Sequence, residues 1–283
     1  MPTLTSLTIY PIKSCAGIAL AQAEVTSFGL ACDGVRDREW MVVDAEGNLL
    51  TQREMPAMAL IVPRIAGDAL LVDAPDSTSL SIPIPLGALA HAQTLDVRVW
   101  DDVMPAYDCG SAAAAWFARF LGVSCRLVRF HPQARRLAST RWTAGRDVPT
   151  LFSDGFPMLI VSEASLADLN QRLAAQGRAT LPMNRFRPNL VIDGIEAFEE
   201  DYAATITIGA ACLKPVKPCA RCPMPSVDQS TGMFGPDPLD ILQGYRANPL
   251  VDGGITFGMN AILQDGENTV LQIGQQAEID IAF

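Results

Sequence analysis

The strongest constraint in this 283-residue chain is its rhythm of short, strand-like runs. "SLTIYPI", "REWMVVD", "ALLVDA" and "LDVRVW" alternate or run apolar with β-branched and aromatic content, and Gly and Pro punctuate them. "VSCRLVRF", "FPMLIVS", "NLVIDG", "ATITIGAACL", "NAILQ" and "TVLQIGQQAEIDI" continue the series. Few helix signals interrupt it. "SAAAAWFARFLG" predicts a helix with Ser111 as N-cap and Gly122 as its stop. "EASLADLNQRLAAQ" places Leu166, Leu169 and Leu173 on one face; Ser165 and Asp168 have capping-box spacing, with Ser162 competing as the cap. "DPLDILQGYR" predicts a third, short helix. A doubly wound parallel sheet needs strands and helices in alternation, which this chain lacks. The pattern fits an α+β, mainly β fold: a barrel-like β core carrying a few helices. No repeat of roughly 20–50 residues is visible, and no Gly-rich phosphate or dinucleotide loop is present. The polar, irregular "HPQARRLASTRWTAGRDVPTLFSDG" reads as a linker or a loop lining a site.

Charge narrows the function. A net charge of −10 argues against nucleic acid as a partner, because neutralising phosphates takes a basic surface. No apolar run is long enough to span a bilayer. The N-terminal "MPTLTSLTIYPIKS" carries neither a signal-peptide nor a presequence pattern, so a cytoplasmic protein is expected. Of 21 basic residues only three are lysines: Lys13, two residues before Cys15, and Lys214 and Lys217, just before Cys219. Either the composition favours Arg, or these lysines face an anion.

Seven cysteines without a leader do not read as a disulfide framework. Only Cys219 and Cys222, in "KPVKPCARCPMPSVDQSTG", have suggestive spacing. Structural zinc would want four ligands, and no second pair accompanies this one. A thiol redox pair would gain from Lys217 and Arg221, yet the motif does not open a helix as such pairs do. A single thiolate on a soft metal, inside a cofactor that brings its own ligands, fits better; a phosphate on that cofactor would account for the nearby cations. Silent packing is the remaining alternative, poorly matched to a segment so dense in Pro, Lys and Arg.

Several spaced segments resemble one family. "KPCARC…VDQSTG" is similar to the signature of MOSC proteins, the molybdenum-cofactor sulfurase C-terminal group. "LTIYPIKSCAGIAL", "FGLACDGVRDREWMVVD" and "GNLLTQRE" resemble the N-terminal β-barrel domain that precedes it, and "DVRVWDDVMPAYDCG", "FSDGFPMLIVSEASLADLN" and "NRFRPNLVIDG" match as well. The resemblance implies an N-terminal domain over residues 1–125, strand-rich and mixed, then a β-barrel MOSC domain over 126–283. It implies a molybdenum cofactor, a pterin dithiolene with a phosphate tail, whose metal is held by Cys222, with Cys219 as the alternative that spacing alone leaves open. Lys13 and Ser14 of "YPIKS", Arg38 of "RDRE" (Arg36 in reserve), Asp154 of "FSDG", and Arg187 and Asn189 of "FRPN" fall where the family holds its cofactor. Asp228 is expected to shape the cysteine loop.

The implied chemistry is reduction of N-hydroxylated compounds (amidoximes, hydroxamates, N-hydroxylated nucleobases) to the N–H form. No cysteine follows Cys222, so an iron–sulfur module of the four-Cys kind is not expected, and electrons should come from a separate haem or iron–sulfur donor protein with its reductase. The alternative is a carrier or binding module that holds the cofactor or its sulfur without turnover.

Overall fold

The computed structural model describes residues 1–282 and is built mainly of strands, as the run pattern predicts. Three α-helices accompany them: α1 (Ser111–Leu121), α2 (Glu163–Ala175) and α3 (Leu239–Gln243). The largest sheet has nine strands and curls into a half-barrel. Its order is Ile18–Leu20, Thr3–Ile9, Leu190–Asp193, Met158–Ser162, Gly254–Asp265, Ala211–Ala220, Ala203–Ile208 and Ala277–Ile281, with Ala247–Asn248 also paired to Gly254–Asp265. Met158–Ser162 and Leu190–Asp193 lie parallel, and α2 supplies the crossover that a parallel pair requires.

The two ends of the chain are interlaced. Thr3–Ile9 pairs with Leu190–Asp193, and Val270–Gln272 joins the sheet of Gln22–Thr26, Gly29–Cys32 and Val35–Arg36. A second four-stranded sheet runs Thr94–Val99, Asp102–Asp108, Arg126–Phe130, Trp40–Val43, and a three-stranded meander covers Val62–Ala66, Ala69–Asp73 and Leu80–Pro83. One buried apolar cluster runs from Leu4 and Trp40 through Phe117 to Leu213 and Leu271, so both halves share a core.

Helix ends follow local chemistry, with two differences from the sequence reading. The N-cap of α1 is Gly110, not Ser111. Asp108 Oδ1 accepts from the Gly110 amide at 2.9 Å, and Gly110 then turns at φ +91, which costs a residue without a Cβ little. At its other end Gly122 closes α1 in the left-handed region as expected. For α2 the cap is Ser162, whose Oγ accepts from the Ser165 amide at 3.0 Å; Asp168 instead pairs with Arg172 one turn on. Leu166, Leu169 and Leu173 bury together against Leu159, Phe186 and Phe257.

The cysteine segment holds a further difference. The strand that begins at Ala211 does not stop at Leu213 but runs through "KPVKPCA" to Ala220, in the middle of the sheet. Pro215 and Pro218 have no N–H to give the ladder, and the register with Gly254–Asp265 slips at both places. Among the described residues no helix is long and apolar enough to cross a membrane.

Candidate active site

One cleft, with a cavity of about 260 Å³, collects all seven residues marked in the sequence: Lys13, Ser14, Arg38, Asp154, Arg187, Asn189 and Cys222. The first three come from the N-terminal half and the rest from the C-terminal half. Ser14, Arg38, Arg187 and the neighbouring Trp100 all have φ between +50° and +65°. A non-glycine residue there costs about 1–2 kcal/mol, so the fold holds four strained residues around one space.

Lys13 is 5 % exposed and its Nζ lies 2.5 Å from Asp154 Oδ1. Burial pulls the ammonium below the usual lysine range, opposed by the Asp154 charge. Crowding by the cleft walls pushes the Asp154 carboxyl up, though its side chain is 65 % exposed, and Lys13, Arg38 and Arg53 together outweigh that and bring it well below the usual carboxylate range. Its loop is clamped from behind by buried Arg136, which donates to the carbonyls of Leu151 (2.9 Å), Ser153 (2.5 Å) and Asp154 (3.2 Å) and pairs with Asp102 at 2.7 Å.

At the base of the cleft, Asn189 is 1 % exposed and its amide is saturated. Oδ1 accepts from Arg38 Nη1 and the Leu159 amide, both at 3.1 Å. Nδ2 donates to Asp37 Oδ1 at 2.9 Å and to Thr8 O at 3.1 Å. With both donors and both lone pairs used, Asn189 acts on anything bound here chiefly by aiming Arg38, which Asp37 also grips. Arg38 and Arg187 each lie over the buried Tyr10 ring, their guanidinium carbons 4.4 and 4.2 Å from its centroid. Burial and then the Arg38 charge pull Arg187 down to about 10.

Cys219 and Cys222 both line the cleft and both are free thiols. They differ in surroundings. Cys219 is on the strand, packs against the Leu159–Phe257 cluster and accepts from Arg221 Nη1 at 3.1 Å. Cys222 lies past the strand end and belongs to no apolar cluster. Asp228 folds the following turn by accepting from Ser230 N, Ser230 Oγ and Thr231 N, and ties it to Arg185 at 2.7 Å. Fully buried Gln52 links this turn to the lysine loop: its Nε2 donates to Ser14 O at 2.6 Å, and its amide faces that of Gln229. Among the described residues no group of three or more His, Cys, Asp or Glu gathers in a metal-binding arrangement, so a zinc ion with four protein ligands has no home here.

The cleft also holds cations that were not singled out as site residues. Six basic side chains line it (Lys13, Arg38, Arg53, Arg187, Lys217 and Arg221) against one carboxylate, Asp154. Arg53, Arg187 and Lys217 donate to no acceptor among the described residues; they lie over the rings of Trp100, Tyr10 and Trp142 instead. In a chain of net charge −10, three unpaired cations converging on one cavity give it a local surplus of positive charge, of the kind that attracts anions. Of the three lysines, Lys13 and Lys217 line the cleft and Lys214 does not. Nothing local distinguishes Arg53 in "TQRE" from a surface arginine, and Trp100 shows in the sequence only as a bulky residue ending a strand run.

Comparison with known proteins gives a consistent likeness over nearly the whole chain. Residues 1–124 match the MOSC N-terminal beta barrel domain, and residues 147–278 match the MOSC domain. The mitochondrial amidoxime-reducing component 1 of Mus musculus is 40% identical over 249 residues, covering 86% of this chain and 71% of the relative. The Homo sapiens component 1 is 39% identical over 250 residues (86% and 72%), and the Bos taurus component 2 is 37% identical over 248 (86% and 72%).

Proposed function

The chain belongs to the MOSC family, alongside the amidoxime-reducing components, and from that premise we propose that it is a molybdenum-cofactor-dependent reductase of N-hydroxylated compounds. The observation that carries this reading is the convergence of a cleft-facing thiol, Cys222, with three unpaired cations on one cavity. The donor set fits the group. A pterin dithiolene brings its own sulfur ligands and needs one thiolate from the protein, and its phosphate needs buried cations without carboxylate partners.

Cys222 would hold the metal, because Cys219 is already engaged by Arg221 and by apolar packing. Lys13, Ser14, Arg38 and Arg187 would hold the pterin and its phosphate, with Arg53 and Lys217 added to their charge. Asn189 and Asp37 aim Arg38, and Asp154 keeps Lys13 charged and pointed into the cleft despite its burial. When bound, the cofactor supplies two-electron removal of the N–OH oxygen: with two electrons and two protons, R–NHOH becomes R–NH2 and water. The protein contributes a preorganised basic cradle, paid for in backbone strain at Ser14, Arg38 and Arg187. Electrons come from a separate haem or iron–sulfur donor protein with its reductase. In this proposal the enzyme works in the cytoplasm, and its residues 1–125 and 126–283 form the two domains that meet at the cleft.

The test is molybdenum and pterin content of protein made in a host that synthesises the cofactor, for wild type, Cys222→Ser and Cys219→Ser, followed by reduction of benzamidoxime with an artificial electron donor. Near one molybdenum per chain, disturbed by Cys222→Ser and spared by Cys219→Ser, with turnover, is the expected result. Zinc or no metal overturns the cofactor reading. A loaded protein with no turnover would instead be a cofactor carrier.

A further inference from the structure

Trp100 is an unusual residue for its place. It opens the two-residue loop between Thr94–Val99 and Asp102–Asp108, at φ +56, where hairpins normally put glycine. Glycine, asparagine or aspartate would close the same loop with less strain. The residue is also 37 % exposed, so part of its side chain meets solvent. Yet it is held: Nε1 donates to Asp154 Oδ1 at 3.2 Å, the Arg53 guanidinium lies over the ring at 4.5 Å, and Lys13 Nζ is 5.8 Å from its centroid. These contacts fix the plane of a partly exposed indole on the wall of the cleft, with Arg53 over one face.

We propose that Trp100 is a specificity-determining wall that selects flat, aromatic N-hydroxylated substrates, by stacking, over small aliphatic ones. The inference rests on the reductase reading for the N–OH group, but the stacking surface stands on its own geometry. A flat ring lying against the indole meets a preorganised partner whose side chain loses little freedom on binding. Base-on-aromatic stacking in other proteins changes affinity by roughly 5- to 150-fold when the aromatic residue is removed. An aliphatic hydroxamate has no aromatic ring to lay on the indole and gains nothing comparable.

The experiment compares the cofactor-loaded wild type with Trp100→Gly and Trp100→Phe. Trp100→Gly suits the φ of the loop, so the hairpin should still close. Binding of benzamidoxime and of acetohydroxamic acid is measured by calorimetry, beside pterin content and kcat/KM for both compounds. The expected result is that the ratio of benzamidoxime to acetohydroxamate affinity falls about tenfold or more in Trp100→Gly, that Trp100→Phe restores most of it, and that pterin content does not change. An unchanged ratio overturns the proposal, as does a drop in pterin content with both affinities reduced alike, since Trp100 would then be supporting the cofactor. Selective binding without turnover in the wild type would leave the stacking wall standing while removing the reductase reading.

Discussion

Replacing Asn189 by Asp changes one atom pair at the base of the cleft and should be costly in a pH-dependent way. The amide nitrogen now donates to Asp37 Oδ1 at 2.9 Å and to Thr8 O at 3.1 Å. A carboxylate oxygen in its place turns both hydrogen bonds into contacts between acceptors, one of them between two buried charges. Arg38, already shared by Asp37 and Asn189, offsets part of that charge but cannot donate along the lost directions. An inadequately paired buried charge costs about 3–5 kcal/mol, which for a protein of this size is roughly 5–8 °C in Tm. The two carboxyls can relieve the clash by sharing a proton, so the introduced group has its folded-state pKa raised above the unfolded value near 3.9. A raised folded pKa means stability that is present at low pH and lost as pH rises. The deficit against wild type should therefore be much larger at pH 8 than at pH 5, whereas Asn189→Leu, which adds no charge, should show a similar deficit at both. Thermal melts of the three proteins at the two pH values check this. A deficit below about 1 kcal/mol at pH 8, or one equal at both pH values, would refute the saturated-amide geometry.

Three further outcomes can be measured. Burial pushes the Cys15 and Cys109 thiols up to about 12 and Cys125 up to about 11, so at pH 8 their thiolate fractions are tiny; peptide mapping after brief iodoacetamide treatment of cofactor-free protein should find Cys222 modified first and these three intact, with labelling of Cys15 early in the reaction counting against the burial described. Arg136→Met removes the clamp on the Leu151–Asp154 carbonyls and should cost about 1–3 kcal/mol while lowering pterin content, although Arg136 does not line the cleft; retained pterin at wild-type level would show that the loop needs no clamp. Gly258→Ala places a Cβ 2.6 Å from Val161 Cγ2 and 2.7 Å from Ile160 O at φ +76, so denaturant unfolding should show a loss of about 2–5 kcal/mol.

The sequence reading reached most of the architecture because strand rhythm and helix periodicity are local signals. The Leu166, Leu169 and Leu173 face and the Gly122 stop were legible for that reason. It misplaced the cap of α1, where the deciding contact is the Asp108 carboxylate on the Gly110 amide, a feature of the turn rather than of residue type. It ended the cysteine strand with "ATITIGAACL" at Leu213; the sheet instead continues through Pro215 and Pro218 with register slips, which depends on the facing strand Gly254–Asp265.

For the site, the chain alone determined the chemistry on offer: a cysteine pair in a basic, proline-rich segment, and short motifs that each send at least one residue to one cleft. Those motifs lie up to 209 positions apart, from Lys13 to Cys222, and no local pattern says that they meet. Only the tertiary structure decided that Arg53 and Lys217 join them while Lys214 does not, that Asn189 spends its amide on Arg38, and that Trp100 stands at the wall. The physical reason is that charge pairing, hydrogen-bond saturation and backbone strain are properties of neighbours in space, set by how the two halves of the chain close around the cleft.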